Sequence, residues 1–453
     1  MIYRILLPTI PSFLFLVGVF FVLLLCKPRT RMYSFIVVAL AFPYLFYIIP
    51  FGNTIINSRD AVLYVHAFAI CLAFLRRSNF QYSKLDKRAK IFLFVLAGAL
   101  LFSTYIHILK MVLAGSSFEL VTSRLRFGAL HSFLWLIGFV GAYLFISRKE
   151  DVRLLMKIIF IVAFIVALDG LFGHVFGFWR VIAEGQSGVA GRLGTITAGG
   201  YDNTGRVLAM GIIAALYLIY TVKQKRMSAI IFIVISLFVS TFTLTRGVYV
   251  AMALALFLML TLMPKNKRFP IFVLIGFILL LVFILGMFSQ IENLVIKGRG
   301  VSVLDPGTMK GRINFWSSFF IPVFIDYFPF GTGFGYAQSI VFSEGYSATY
   351  WGPSSTKLIT LHSMPLELIL ENGIGGILVL ALIIWILWST FAFILKHRCH
   401  ETVQEIKAVW TVIVILFVTM TIITAGYLGY VMMAFFGVLF ALRSQLDENK
   451  EGK

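Results

Sequence analysis

Acidic residues are scarce in this chain. Its 453 residues hold 19 Asp and Glu against 39 Lys and Arg, a formal net charge of +20, and charged residues of either sign make up 13%. Soluble domains carry about a quarter, so an ordinary water-facing surface is excluded. The three cysteines, Cys26, Cys71 and Cys399, are too scattered for a disulfide framework or a thiolate metal site. Also missing are Asp-x-Asp, His-Glu-x-x-His, Walker, Gly-x-Ser-x-Gly and Cys-x-x-Cys patterns, which disfavours metal-dependent or nucleotide-driven chemistry. No cofactor and no metal site is expected. No small-residue cleavage site follows the first apolar run, which reads as an uncleaved span rather than a signal peptide. Long hydrophilic blocks are missing too, so residues 1–453 read as a single integral membrane domain.

What is present is hydrocarbon: 60% of residues are hydrophobic and the mean hydropathy is +0.96. Apolar windows long enough to cross a bilayer fall near residues 5–25, 33–51, 60–75, 91–113, 127–146, 155–178 and 203–222. Others fall near 228–244, 247–263, 269–288, 374–395, 407–425 and 427–442. The expected fold is an all-α polytopic membrane protein with about 12 to 13 transmembrane helices. The longest polar interruption, residues 289–373, reads as one large periplasmic loop with short helices. Residues 443–453 read as a cytoplasmic tail, charged and disordered from Asp447 to Lys453.

The positive charge sits in short loops rather than in one patch, so it speaks for topology and against nucleic acid. Clusters at Lys27, Arg29 and Arg31, at 76–90, at 148–157, at 223–226, at 265–268 and at Lys396 and Arg398 follow alternate spans. By the positive-inside rule they mark the cytoplasmic face. An external loop at 179–202, a hairpin tip near residue 245 and the 289–373 loop then share the outer face. Those external segments hold Arg124, Arg126, Arg192, Arg206, Arg246, Arg299, Lys310 and Arg312, more cations than a translocated side usually carries. An anionic substrate explains the excess, since a guanidinium presents a planar fork suited to phosphate; arginines snorkelling to lipid phosphates are the plainer alternative.

Three residues stand out chemically. Arg246 ends a hydroxyl-rich run, Ser240-Thr241-Phe242-Thr243-Leu244-Thr245-Arg246-Gly247, a poor lipid-facing sequence and a good grip for a diphosphate. Arg192 lies in Gly191-Arg192-Leu193-Gly194-Thr195, whose glycines let the backbone approach a ligand. His362 precedes a helix start in which Ser363 is a plausible N-cap and Pro365 falls in the first turn. An imidazole there can accept a proton near neutral pH. The acids beside spans are few, chiefly Asp169, Glu367 and Glu371, which weighs against a proton-coupled carrier.

The second half of the chain resembles the O-antigen ligase and O-antigen polymerase superfamily of bacterial envelope glycosyltransferases. The resemblance is carried by Gly191-Arg192-Leu193-Gly194, Leu244-Thr245-Arg246-Gly247, Gly311-Arg312-Ile313-Asn314-Phe315-Trp316 and Phe328-Pro329-Phe330-Gly331-Thr332-Gly333-Phe334-Gly335. It ends with His362-Ser363 and Glu371-Asn372-Gly373-Ile374-Gly375-Gly376. Many members have Asn after the histidine, where this chain has Ser363.

The resemblance implies a GT-C-like membrane glycosyltransferase of the inner membrane, metal-independent and inverting, with its active site facing the periplasm. Its donor would be an undecaprenyl-diphosphate-linked oligosaccharide, and its acceptor a glycan or glycolipid hydroxyl. Arg192 and Arg246 would hold the diphosphate, Thr245, Arg312, Arg124 and Arg126 would bind substrate, and His362 would serve the acceptor hydroxyl. Polymerisation of O-antigen or exopolysaccharide repeat units is the expected reaction, with ligation to lipid A-core as the alternative. Membrane lipids and a chain-length regulator or other polysaccharide-assembly proteins are the expected partners. The reading from another class is a transporter or flippase of an anion or lipid-linked sugar.

Overall fold

A computed structural model describes residues 10–41, 58–76, 85–116, 118–176, 195, 201–221, 226–243, 246–262, 313–314, 316–334, 363–397, 403–422 and 429–451. All regular structure among them is helical. The helices are α1 (Ile10–Leu25), α2 (Pro28–Leu40), α3 (Ser58–Arg76), α4 (Lys87–Leu113), α5 (Phe118–Phe145), α6 (Lys149–Phe176), α7 (Tyr201–Thr221), α8 (Arg226–Phe242) and α9 (Arg246–Leu262). A π-helical turn (Trp316–Phe320) leads into α10 (Ile321–Tyr327), followed by α11 (Met364–Asn372), α12 (Ile374–Lys396), α13 (Val403–Ile422) and α14 (Gly429–Glu451). Among the described residues seven helices are long and apolar enough to cross a membrane, and four more are apolar but shorter. Every apolar window of the sequence overlaps one of these helices except 269–288, which lies outside the described residues.

Two helices outrun their expected bounds. α5 starts at Phe118, so Arg124 and Arg126 are helical rather than in an external loop; Phe118 to Phe127 contains no Gly or Pro to stop the helix. α14 continues to Glu451, so most of the supposedly disordered tail is helical. Its Gln, Leu, Glu and Lys are good helix formers, and the first glycine after the span is Gly452.

The chain divides into two compact units whose segments interleave: Met1–Ala69, Phe145–Asp305 and Arg398–Thr419 form the first, and Ile70–Leu144, Pro306–His397 and Met420–Lys453 the second. In the first unit α7 is the central helix. Its residues from Thr204 to Leu218 are all buried, as expected of a helix that is apolar all round, and it packs against α6, α8 and α9.

One end of this unit is laced by charge. Asp151, in the first turn of α6, accepts from the Arg148 backbone N–H (3.1 Å) and pairs with Arg29 (3.2 Å). Glu405 of α13, almost fully buried, takes the Arg153 guanidinium (3.3 Å) and the Tyr217 hydroxyl (3.1 Å). The buried Arg31 spends its donors on the carbonyls of Leu24, Cys26 and Ala69, which answers helix-end acceptors that α1 cannot satisfy itself.

In the second unit Phe92 of α4 meets Phe139 of α5 and Phe436 and Phe440 of α14. Arg443 of α14 donates to Thr390 of α12 (3.0 Å) and lies over the Phe393 ring. Along α12, Ile374, Ile377, Leu378, Ile384, Trp385 and Trp388 form an exposed stripe. In a helix this apolar such a stripe is lipid-facing.

The second unit also holds a backbone clasp. Gly373 separates α11 from α12 with φ +56°, and its N–H donates to Ile369 O (2.7 Å). From the other strand of the clasp, Thr332 N–H donates to Leu370 O (3.0 Å) and Gly333 N–H to Glu371 O (2.9 Å). In return Ile374 N–H donates to Pro329 O (2.9 Å). The orphan carbonyls ending α11 and an orphan N–H opening α12 are thereby satisfied by the Phe-Pro-Phe-Gly-Thr-Gly run. Asn372 fastens the clasp to α4, accepting from the Ser103 hydroxyl (2.8 Å) while its amide donates to Leu368 O (3.0 Å). A Cβ on Gly373 would overlap the Pro329 carbonyl, and the positive φ is strained for any L side chain. Gly373→Ala is therefore expected to cost on the order of 3 kcal/mol, read as a lowered aggregation temperature of the detergent-solubilised protein.

Candidate functional site

At one end of the first unit, five segments meet. Thr195 closes the Gly-Arg-Leu-Gly-Thr motif, and its backbone N–H donates to Thr204 Oγ1 (3.2 Å) in the first turn of α7. The two threonine hydroxyls also bond each other at 2.9 Å, and both residues are buried. Next along α7, Gly205 meets α9 so closely that a Cβ would overlap the Val248 side chain. Val248 is two residues into α9 from Arg246, which heads that helix. From α8, Thr243 Oγ1 donates to Ser240 O (2.7 Å) and both residues are buried. The hydroxyl run is thus partly turned inward, capping the end of α8 rather than lining a lipid surface. Gly170, near the end of α6, lies against Val239 and Thr195.

Thr195 and the helix that opens on Arg246 are therefore brought to the same end of α7. Arg192 and Thr245 themselves lie outside the described residues, and the structure describes only the backbone of Arg246. α8 ends at Phe242 and α9 opens at Arg246; the hairpin tip expected near residue 245 lies outside the described residues.

Arg206, expected among the external-loop cations, is instead in the second turn of α7 and only 4% exposed. A buried arginine in an apolar helix is costly and marks function more often than chance. The signal available was its position three residues inside the apolar window that opens at Asn203.

In the second unit, Ser363 occupies the N-cap position of α11 with extended backbone, and Glu367 N–H donates to its carbonyl (2.9 Å). The expected side-chain cap is not made, although Pro365 falls in the first turn as anticipated. His362, the preceding residue, lies outside the described residues, as does Arg312. Glu367 and Glu371, four residues apart on α11, are both buried. Arg124 is on α5 one turn before Gly128, where α5 closes on Thr104 of α4 and on the Phe334 carbonyl of the clasp. Arg126 follows two residues on in the same helix.

The arrangement offers helix starts and small hydroxyls at one end of the first unit, and in the second an anchored helix that opens after Ser363. No curated protein and no solved structure matches the chain. Residues 231–381 match the Wzy_C family model, described as O-antigen ligase, a stretch that runs from α8 through Arg246, Arg312, the clasp and His362 into α12. The chain is a multi-pass membrane protein, and its residues 231–381 are similar to the O-antigen ligase family.

Proposed function

We propose that this protein transfers a glycan from a polyprenyl-diphosphate donor to a sugar hydroxyl at the periplasmic face of the bacterial inner membrane. The observation that supports this most is the family match over residues 231–381. Twelve to thirteen crossings, with the 289–373 loop outside, place the basic clusters in the cytoplasm. Arg192 and Arg246 receive the diphosphate, with Thr245, Arg312, Arg124 and Arg126 along the substrate path.

His362 takes the acceptor proton as the hydroxyl oxygen attacks the anomeric carbon. The bond from that carbon to the diphosphate oxygen breaks on the opposite face, so the configuration inverts. The polyprenyl diphosphate departs with its charge held by guanidinium donors, without a metal ion. The reaction assigned is polymerisation of repeat units. Attachment to lipid A-core is the second reading, favoured by the family's description as a ligase.

Detergent-purified protein given undecaprenyl-diphosphate oligosaccharide in EDTA is expected to form longer lipid-linked glycan. Product on lipid A-core alone assigns the ligase, and flux into vesicles without covalent change removes the enzyme reading altogether. A topology test accompanies it. Single cysteines beside Arg192, Arg246 and His362 are expected to react with an impermeant thiol reagent in spheroplasts, and cysteines beside Lys265 are not.

A further inference from the structure

We propose that a cleft formed by α1, α2 and α3 holds an acyl chain of an anionic phospholipid, whose phosphate rests at the turn between α1 and α2. The cleft encloses about 480 Å³ and is lined by Gly18, Val19 and Val22 of α1, Val38 of α2 and Val62 of α3, with Ser34 and His66 as its polar residues. That volume lies within the roughly 300–1,000 Å³ of ligand pockets. Val22, on its rim, is 62% exposed, so the cleft opens where these helices face lipid.

The polar pair closes on itself. His66 Nδ1 is 2.8 Å from the Val62 carbonyl, which can only accept, so Nδ1 carries the proton. In the neutral ring Nε2 then accepts from the Ser34 hydroxyl at 2.8 Å. No hydrogen-bond donor is left over for a headgroup, and the wall is suited to hydrocarbon. The same bond ties α2 to α3, and the Phe20 and Phe68 rings, 5.7 Å apart, join α1 to α3. The cleft is thus a fixed product of packing.

Charge selects the lipid. Of the three cations at the turn, Arg31 is buried on backbone carbonyls, whereas Lys27 is exposed and the Arg29 side chain remains 46% exposed while paired with Asp151. Pro28 opens α2, so Ser34 lies about 9 Å along the helix from its first residue. A phosphate at the turn therefore puts acyl carbons at the cleft. Basic sites between spans at the membrane surface favour anionic headgroups in this way. The inference rests on this unit alone and is independent of the glycan-transfer reading.

Gly18 supplies the test, because a Cβ built there meets nothing within 4 Å and a larger side chain grows into the cleft. Native mass spectrometry of the purified full chain, titrated with phosphatidylglycerol or phosphatidylcholine, is expected to show one tightly held phosphatidylglycerol. Gly18→Leu and Gly18→Phe should weaken it at least tenfold. Lys27→Glu should weaken it by about fivefold or more and leave phosphatidylcholine unchanged. Leucine is a better helix former than glycine, so the milder variant keeps the test valid if phenylalanine misfolds. Equal retention of the two lipids overturns the proposal. So does undiminished phosphatidylglycerol binding in Gly18→Leu, or no retained lipid at all, which would mean that protein covers the cleft.

Discussion

Replacing His362 with alanine is expected to lower glycan transfer by about 10² to 10⁴-fold, the range for loss of a general base. Donor binding should persist. The separation follows from the roles proposed: the imidazole meets the acceptor hydroxyl, while the diphosphate is held by arginines. Single-turnover rates and donor titration by a fluorescent lipid-diphosphate measure the two independently. Because α11 is anchored at its far end through Asn372 and the clasp, the variant should keep its thermal stability, and any rate loss is then chemical. Normal turnover with collapsed donor affinity would make His362 a phosphate ligand instead.

Arg246→Ala and Arg192→Ala are each expected to reduce the rate by on the order of 10² to 10³, the cost of removing one preorganised donor from a developing anion. Lysine should restore only part of it, since an ammonium cannot present two parallel N–H groups to a diphosphate. The arginines differ in how a failure would be read. Arg246 heads a helix packed against Gly205, so its alanine variant must be shown monodisperse before kinetics are compared. Steady-state rates at saturating donor, with and without EDTA, check both variants. Full activity in both moves the diphosphate site elsewhere.

The membrane class and most helices were legible because hydropathy is a one-body property, readable window by window. α12 is an example: twenty-odd apolar residues after Gly373, ending at Lys396. Helix starts were less legible where charge sits inside a helix, as at Arg124 in α5 and Arg206 in α7. Neither arginine lowers helix propensity, yet each lowers local hydropathy: the α5 window opens at 127, past Arg124, and Arg206 counts as an external cation although the window from 203 already contains it.

The pairings were not legible at all. Nothing in Gly-Thr-Gly announces that Gly333 will donate to Glu371, nor that Ser103 will hold Asn372. Those bonds join residues far apart in the chain, and the interleaving of the two units has the same origin. The site residues were chosen by chemistry and order along the chain. Of these, the structure describes the backbone of Arg246 at the head of α9 and the helix that follows His362.

The clasp has a consequence for how such a chain can diverge. Its two halves, Pro329 to Gly333 and Leu370 to Ile374, are joined by backbone hydrogen bonds, so the stretch from 335 to 362 leaves from the clasp and rejoins the chain at the start of α11, whose other end the clasp holds. Doubling the length of a flexible loop with pinned ends costs only about 0.6 kcal/mol. Changes of length ahead of His362 can therefore accumulate while α11 and α12 keep their register. Length can thus vary between two fixed ends on an unchanged frame.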